Sequence, residues 1–294
     1  MSKPFQDSLK DGKFIVTVEL DPPKGADPQE LLKQAGALKD RVDGINLSDN
    51  RGGVMRMGAL TASLLVKQAG GEPILNLACR DKNRLALASE ALGASALGIA
   101  NILCMTGDHT SHGDHREAKP VYDLDSVQAL KMLKGLVAGK DLNGHALEGP
   151  ARFCLGAVVT PEADPIEPQL LKFSKKAELG LDFFQTQAVF DLDRLAGFLK
   201  FGRQFDSKII VGVRLLNWEE ISLYKDGSLP GVIVPQGLIQ EWRQAGENEG
   251  PQKALEWLVG QVQTIKNKKL GDGIHLMAMG QEQLIPEILA KAGL

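Results

Sequence analysis

Residues 14–47 read "FIVTVELDPPKGADPQELLKQAGALKDRVDGINL", and the turn inside this stretch decides the fold. An apolar, β-branched run at 14–20 predicts a buried strand, residues 27–39 carry apolar positions at helical spacing, and a second apolar run follows at 42–47. An open, doubly wound sheet would place a Gly-rich phosphate turn directly after its first strand. Here the first strand instead ends on Glu19, Asp21, Pro22 and Pro23. The same strand–helix alternation recurs along the chain, with further strands predicted at 73–79, 97–105, 153–160, 182–187, 208–215 and 273–279. Helical segments are expected at 83–93, 125–137, 167–180, 191–202, 250–267 and 281–293, several of them ending on Gly. About eight βα units within 294 residues predict an α/β chain folded as a single-domain (β/α)8 TIM barrel over 13–294, preceded by a lead segment at 1–12.

Composition narrows the class. The chain is 43% hydrophobic, enough for a large core, and its 34 basic and 37 acidic residues leave a net charge of −3. With no long basic stretch, nucleic acid is not the expected partner. The three cysteines, Cys79, Cys104 and Cys154, form no CxxC pair, so neither an iron–sulfur cluster nor a structural zinc is expected on this chain. No apolar signal core precedes residue 14 and no 18-residue apolar run follows, which predicts a soluble, cytoplasmic protein without membrane insertion.

In a closed βα barrel the active site lies at the carboxyl ends of the strands. The polar residues expected there are Glu19, Ser48, Asn76, Asp108, Thr160, Glu162, Gln187, Arg214, Asn217 and His275. Any one of them alone could simply cap the following helix. Glu19 asks for more, because a carboxylate at the end of a core strand is costly unless paired or protonated. Residues 135–140, "GLVAGK", imitate a phosphate loop but are one residue short and lack the Ser or Thr after the Lys. His109, His112 and His115 in "GDHTSHGDH" could ligate a metal, contact a cofactor phosphate or belong to a solvated loop; no metal is expected, since barrel hydrolases draw ligands from several strands. The lysines of "KFSKKAELG" read first as a solvated helix face. Lys208 begins its strand, so no amine stands where a Schiff-base aldolase would need one.

Taken in order, "VELDPPKG" (18–25), "LNLACRDKNR" (75–84), "CMTGD" (104–108), "VVTPEADP" (158–165), "TQAVFD" (186–191) and "VGVRLLN" (211–217) resemble the methylenetetrahydrofolate reductases over nearly the whole chain. The resemblance implies a barrel that binds a flavin, FAD or FMN, and reduces 5,10-methylenetetrahydrofolate to 5-methyltetrahydrofolate in one-carbon metabolism. It implies Glu19 as the general acid that protonates the departing nitrogen and opens the folate's bridging ring. Asp108, implied as catalytic beside Glu19, would face pterin and flavin, and Gln187, Asp108 and Glu19 would contact the folate. Flavin contacts would come from Ser48, Asn76, Cys79, Thr106, Gly107, Asp108, Tyr122 and Lys176.

The chain also departs from the family pattern. Leu20 and Asp21 stand where two aromatics are frequent, Asn76 where His is common, Thr106 in place of an Arg that touches the cofactor, and Gln281 where some members carry an Arg for the folate tail. These departures resemble the short reductases of folate-using anaerobes, which implies either NAD(P)H or a small iron–sulfur subunit as electron source, and allows a homo-oligomer. The alternatives are a pterin-binding methyltransferase-like barrel without flavin, and a non-catalytic barrel subunit of a redox complex.

Overall fold

A computed structural model describes residues 4–225, 229 and 231–294. Its strands are β1 (Ile15–Leu20), β2 (Gly44–Leu47), β3 (Pro73–Ala78), β4 (Asn101–Met105), β5 (Cys154–Val159), β6 (Phe183–Ala188), β7 (Lys208–Arg214) and β8 (Gly273–Met277). They pair in sequence order, and β8 returns parallel to β1, closing an eight-stranded barrel. All eight predicted strands are present, and the chain is a single-domain (β/α)8 barrel.

The outer ring is built from α2 (Gln29–Leu38), α3 (Ala59–Gln68), α4 (Arg84–Ala96), α5 (Ser126–Val137), α6 (Glu167–Ala177), α7 (Leu192–Gly202), α8 (Trp218–Leu223), α9 (Gln236–Asn267) and α10 (Ile285–Lys291); α1 (Phe5–Lys10) precedes the barrel. Side-chain caps start several of them. Asp125 and Gln128 form a reciprocal capping box on α5, as do Asn217 and Glu220 on α8. The sequence reading named no helix at α3 or α8 and began the last long helix at 250. Instead α9 starts at Gln236 and kinks at Gly246, whose φ of 80° lies in the left-handed region open to glycine. Pro251 lies inside the resumed helix, five residues after that kink.

Strand periodicity stacks the barrel interior in layers. Along β1, Ile15, Thr17 and Glu19 point inward in succession, from an apolar floor through a neutral polar layer to an acid at the mouth. The floor consists of Ile15, Ile74, Leu103, Cys154, Phe183 and Ile210, and Phe5 of α1 inserts beneath it, fully buried and edge-on to Phe183 at 5.1 Å. Gly156 makes room for that aromatic pair, since a Cβ there would lie 2.3 Å from Phe183 Cζ.

Candidate active site

Above the floor, side chains from five strands interlock. Asn46 donates to Asn76 Oδ1 (2.8 Å) and to Gln185 Oε1 (3.0 Å), and Gln185 donates to Thr17 Oγ1 (3.1 Å) and Asn46 Oδ1 (3.0 Å). Thr17 Oγ1 in turn lies 3.0 Å from His275 Nδ1. A neutral network this deep in a barrel is fixed only when its members satisfy one another. It forms the base of a cavity of about 490 Å³ that opens at the carboxyl ends of the strands.

Glu19 stands on this base, its side chain 14% exposed. Asn76 donates to its Oε2 (3.3 Å), His275 Nε2 lies 3.9 Å away, and Arg51 Nε lies 3.6 Å from Oε1. Burial pushes the Glu19 carboxyl up to about 7; Arg51, Arg214 and the Asn76 hydrogen bond pull against that rise, and Asp21 adds to it. Burial alone drives His275 down to about 3, so its ring is neutral and its approach to Glu19 is no ion pair. Across the cavity Lys176, 5% exposed, donates to the Val158 carbonyl (2.7 Å). Burial first and the nearby Lys172 second lower its pKa to about 8. One wall therefore offers a proton donor, while the other carries two amines.

Of the residues singled out in the sequence, Glu19, Ser48, Asn76, Thr106, Gly107, Asp108, Thr160, Lys176, Gln187, Arg214 and His275 line the cavity. Cys79 does not. It is fully buried in the core shell outside the barrel, beside Cys104. Tyr122 also lies off the lining, its hydroxyl donating to the Gly107 carbonyl (3.2 Å). Glu162 accepts hydrogen bonds from the Phe190 and Asp191 amides, and Asn217 caps α8, so both serve the framework. Lys176 is no solvated face residue: α6 presents it inward together with Lys172. Among the described residues, no three His, Cys, Asp or Glu side chains cluster around a metal-sized point; His109 pairs with Ser111 and His115 with Asp114. No helix of the described residues is long and apolar enough to cross a membrane.

Sequence reasoning missed Arg51, Arg80, Gln169 and Gln185, which also line the cavity. Gln185 had a signal, being an amide at an inward position of a strand whose partners are apolar. Arg51 had none, since it sits in the polar loop "SDNRGG" with no periodicity to orient it.

Several lining groups lack internal partners among the described residues, Ser126 Oγ among them. Asp108 accepts no side-chain hydrogen bond from any described residue, and Arg214 Nε is buried without a partner although the same guanidinium is paired with Glu220. Such atoms on a cavity wall are free to meet a ligand.

Fold and site together define a (β/α)8 barrel with an open cavity at the strand carboxyl ends, the place where enzymes of this fold work. Residues 4–293 match the family described as methylenetetrahydrofolate reductase, and the chain belongs to that family. It is 24% identical over 246 residues to a Caenorhabditis elegans protein named as a probable methylenetetrahydrofolate reductase (NADPH), covering 82% of this chain and 35% of the other, so the chain spans about a third of that relative's length. Among solved structures, a Clostridium thermocellum protein described as binding two copies of 5-methyl-5,6,7,8-tetrahydrofolic acid superposes with a TM-score of 0.64 at 14% identity, covering 98% of this chain and 96% of the other. The EDTA monooxygenase of Chelativorans sp. BNC1 superposes with a TM-score of 0.58 at 8% identity, over 96% of this chain and 93% of its own. These two likenesses concern the fold.

Proposed function

We propose that the chain is a flavin-dependent oxidoreductase that reduces 5,10-methylenetetrahydrofolate to 5-methyltetrahydrofolate, with Glu19 as general acid. The observation that carries this reading is a carboxyl group held near neutrality, at about 7, on the wall of a cavity that family membership connects with folate. The bridging carbon of the folate accepts hydride only after one of its two C–N bonds opens, and opening needs a proton on the departing nitrogen. Glu19 carries that proton near neutral pH because burial disfavours its charged form. Once the proton is given up, the carboxylate faces Arg51 and Arg214, which stabilise the charge it has gained.

The residues present fit a flavin. A cavity of about 490 Å³ lies within the range of cofactor sites, Lys172 and Lys176 would meet the phosphate, and Ser48, Asn76, Thr106 and Gly107 would contact the ring and ribityl chain. When bound and reduced, such a cofactor supplies the hydride. Asp108 and Gln187 would orient the pterin, whose amino group and ring N–H call for an acceptor and whose mixed edge suits an amide. Placing proton donor and pterin anchors on one rigid strand-end rim holds the reacting groups in register.

Glu19→Gln tests the reading. The variant should keep a flavin absorption band and its photoreduction, yet lose folate reduction by roughly two or more orders of magnitude. Full activity would assign the proton to another group, and a colourless, folded wild-type protein would favour the flavin-free pterin-binding alternative. An anaerobic comparison of NADH, NADPH and a reduced one-electron dye identifies the class of electron donor; reduction by the dye alone would point to an iron–sulfur partner.

A further inference from the structure

Asp21 occupies a position where the family frequently carries an aromatic, and the structure gives it an occupation that no aromatic could perform. Its Oδ1 accepts from Ser48 Oγ (2.6 Å) and Arg51 Nε (3.0 Å), its Oδ2 is paired with the other end of the same guanidinium, and Arg56 stands 3.4 Å away. This two-pronged arrangement is the strong geometry of an Arg–carboxylate pair. Arg51 is also the cation nearest Glu19, at 3.6 Å from its Oε1. Two carboxyl groups therefore compete for one guanidinium, and Asp21 holds both of its prongs.

We propose that Asp21 is the positioning residue that keeps Glu19 a proton donor, by holding the Arg51 guanidinium that would otherwise pair with Glu19. The inference rests on the reading of Glu19 as general acid. The other groups facing Glu19 agree with it. From β7, Arg214 approaches but is paired with Glu220 of α8; from β8, His275 is neutral; from β3, Asn76 is uncharged. Arg51 and Arg214, the two guanidinium groups that act on Glu19, are thus each paired with another carboxylate. Removing the charge of Asp21 leaves Glu19 as the carboxyl that acts most strongly on Arg51, ahead of Glu220, and it deletes the like charge that favours the protonated form of Glu19. Both changes act in one direction, toward an ionised Glu19 that has no proton to give at neutral pH.

The protonated carboxyl can be followed in the full chain by infrared difference spectroscopy against pH, with the Glu19 signal assigned by its loss in Glu19→Gln. In Asp21→Asn the midpoint should fall by about one unit or more, the scale of an opposite charge brought to within contact distance. Arg51→Gln should raise it, the double variant should return toward the wild-type value, and Asp21→Glu should hold the wild-type midpoint. In folate-reduction assays the falling alkaline limb of kcat should move with the midpoint in each variant. An unchanged midpoint in Asp21→Asn, or one in Arg51→Gln that stays or falls, would overturn the proposal. Should Asp21→Asn fail to fold, Arg51→Gln and the double variant decide the matter alone. If the midpoints move as stated while Glu19→Gln still reduces folate at full rate, the general-acid assignment fails and the role of Asp21 in holding the Glu19 proton stands.

Discussion

Folding moves the Glu19 carboxyl from its ordinary value of 4.5 up to about 7, and that displacement has a thermodynamic signature apart from turnover. The folded protein keeps this proton at pH values where the unfolded chain has released it, so the stability linked to the group is full below about 4.5 and is lost as pH rises through about 7. Glu19→Gln has no proton to lose. Its unfolding free energy relative to wild type should therefore improve between about pH 5 and pH 9, by about 2–3 kcal/mol, in denaturant titrations at each pH. A parallel dependence in the two proteins would show Glu19 to be already ionised in the folded state. On the opposite wall, Lys176→Met removes a charge-assisted contact to the proposed phosphate, and flavin should bind about tenfold or more weakly in fluorescence titrations. Glu19 was legible because an acid inside an apolar strand contradicts its surroundings. Arg51 and the role of Asp21 were not, because a charged residue in a polar loop contradicts nothing until the fold brings it against a buried carboxyl.

Elements were legible where one periodicity ran unopposed. The strands read cleanly because both of their faces are buried, one against the barrel interior and one against the helices, leaving near-continuous apolar runs. Helix α3 begins after Gly58 without a side-chain cap, which removes the usual start signal. Helix α9 continues through Gly246, a residue that would ordinarily end a helix, because the chain resumes helical geometry after the kink. Loops at the mouth carried still less signal, yet two of them are latched together: a Cβ on Gly113 would lie 1.9 Å from the carbonyl oxygen of Gly53. His112 and Gly52, their neighbours, line the cavity. Gly113→Ala should pry these loops apart and lower kcat/KM about tenfold or more while the thermal unfolding midpoint changes little, as steady-state kinetics and calorimetry on one preparation would show.

At the scale of the whole molecule, the barrel is layered in function as well as in packing. Its lower third is hydrocarbon, its middle a neutral hydrogen-bonded mesh, and its upper third carries the titrating groups. Phe5→Ala should cost about 3–5 kcal/mol, the usual loss for a large aromatic removed from a core, measured by chemical denaturation. Because Phe5 and Phe183 stopper one end of the barrel, traffic is confined to the other. Under the proposed function, whatever recharges the protein and whatever it discharges onto use the same doorway, one after the other when both are bulky. Initial-rate plots at several fixed donor levels should then run parallel, the kinetic mark of a two-stroke cycle, and an excess of either visitor should slow the other by standing in its way.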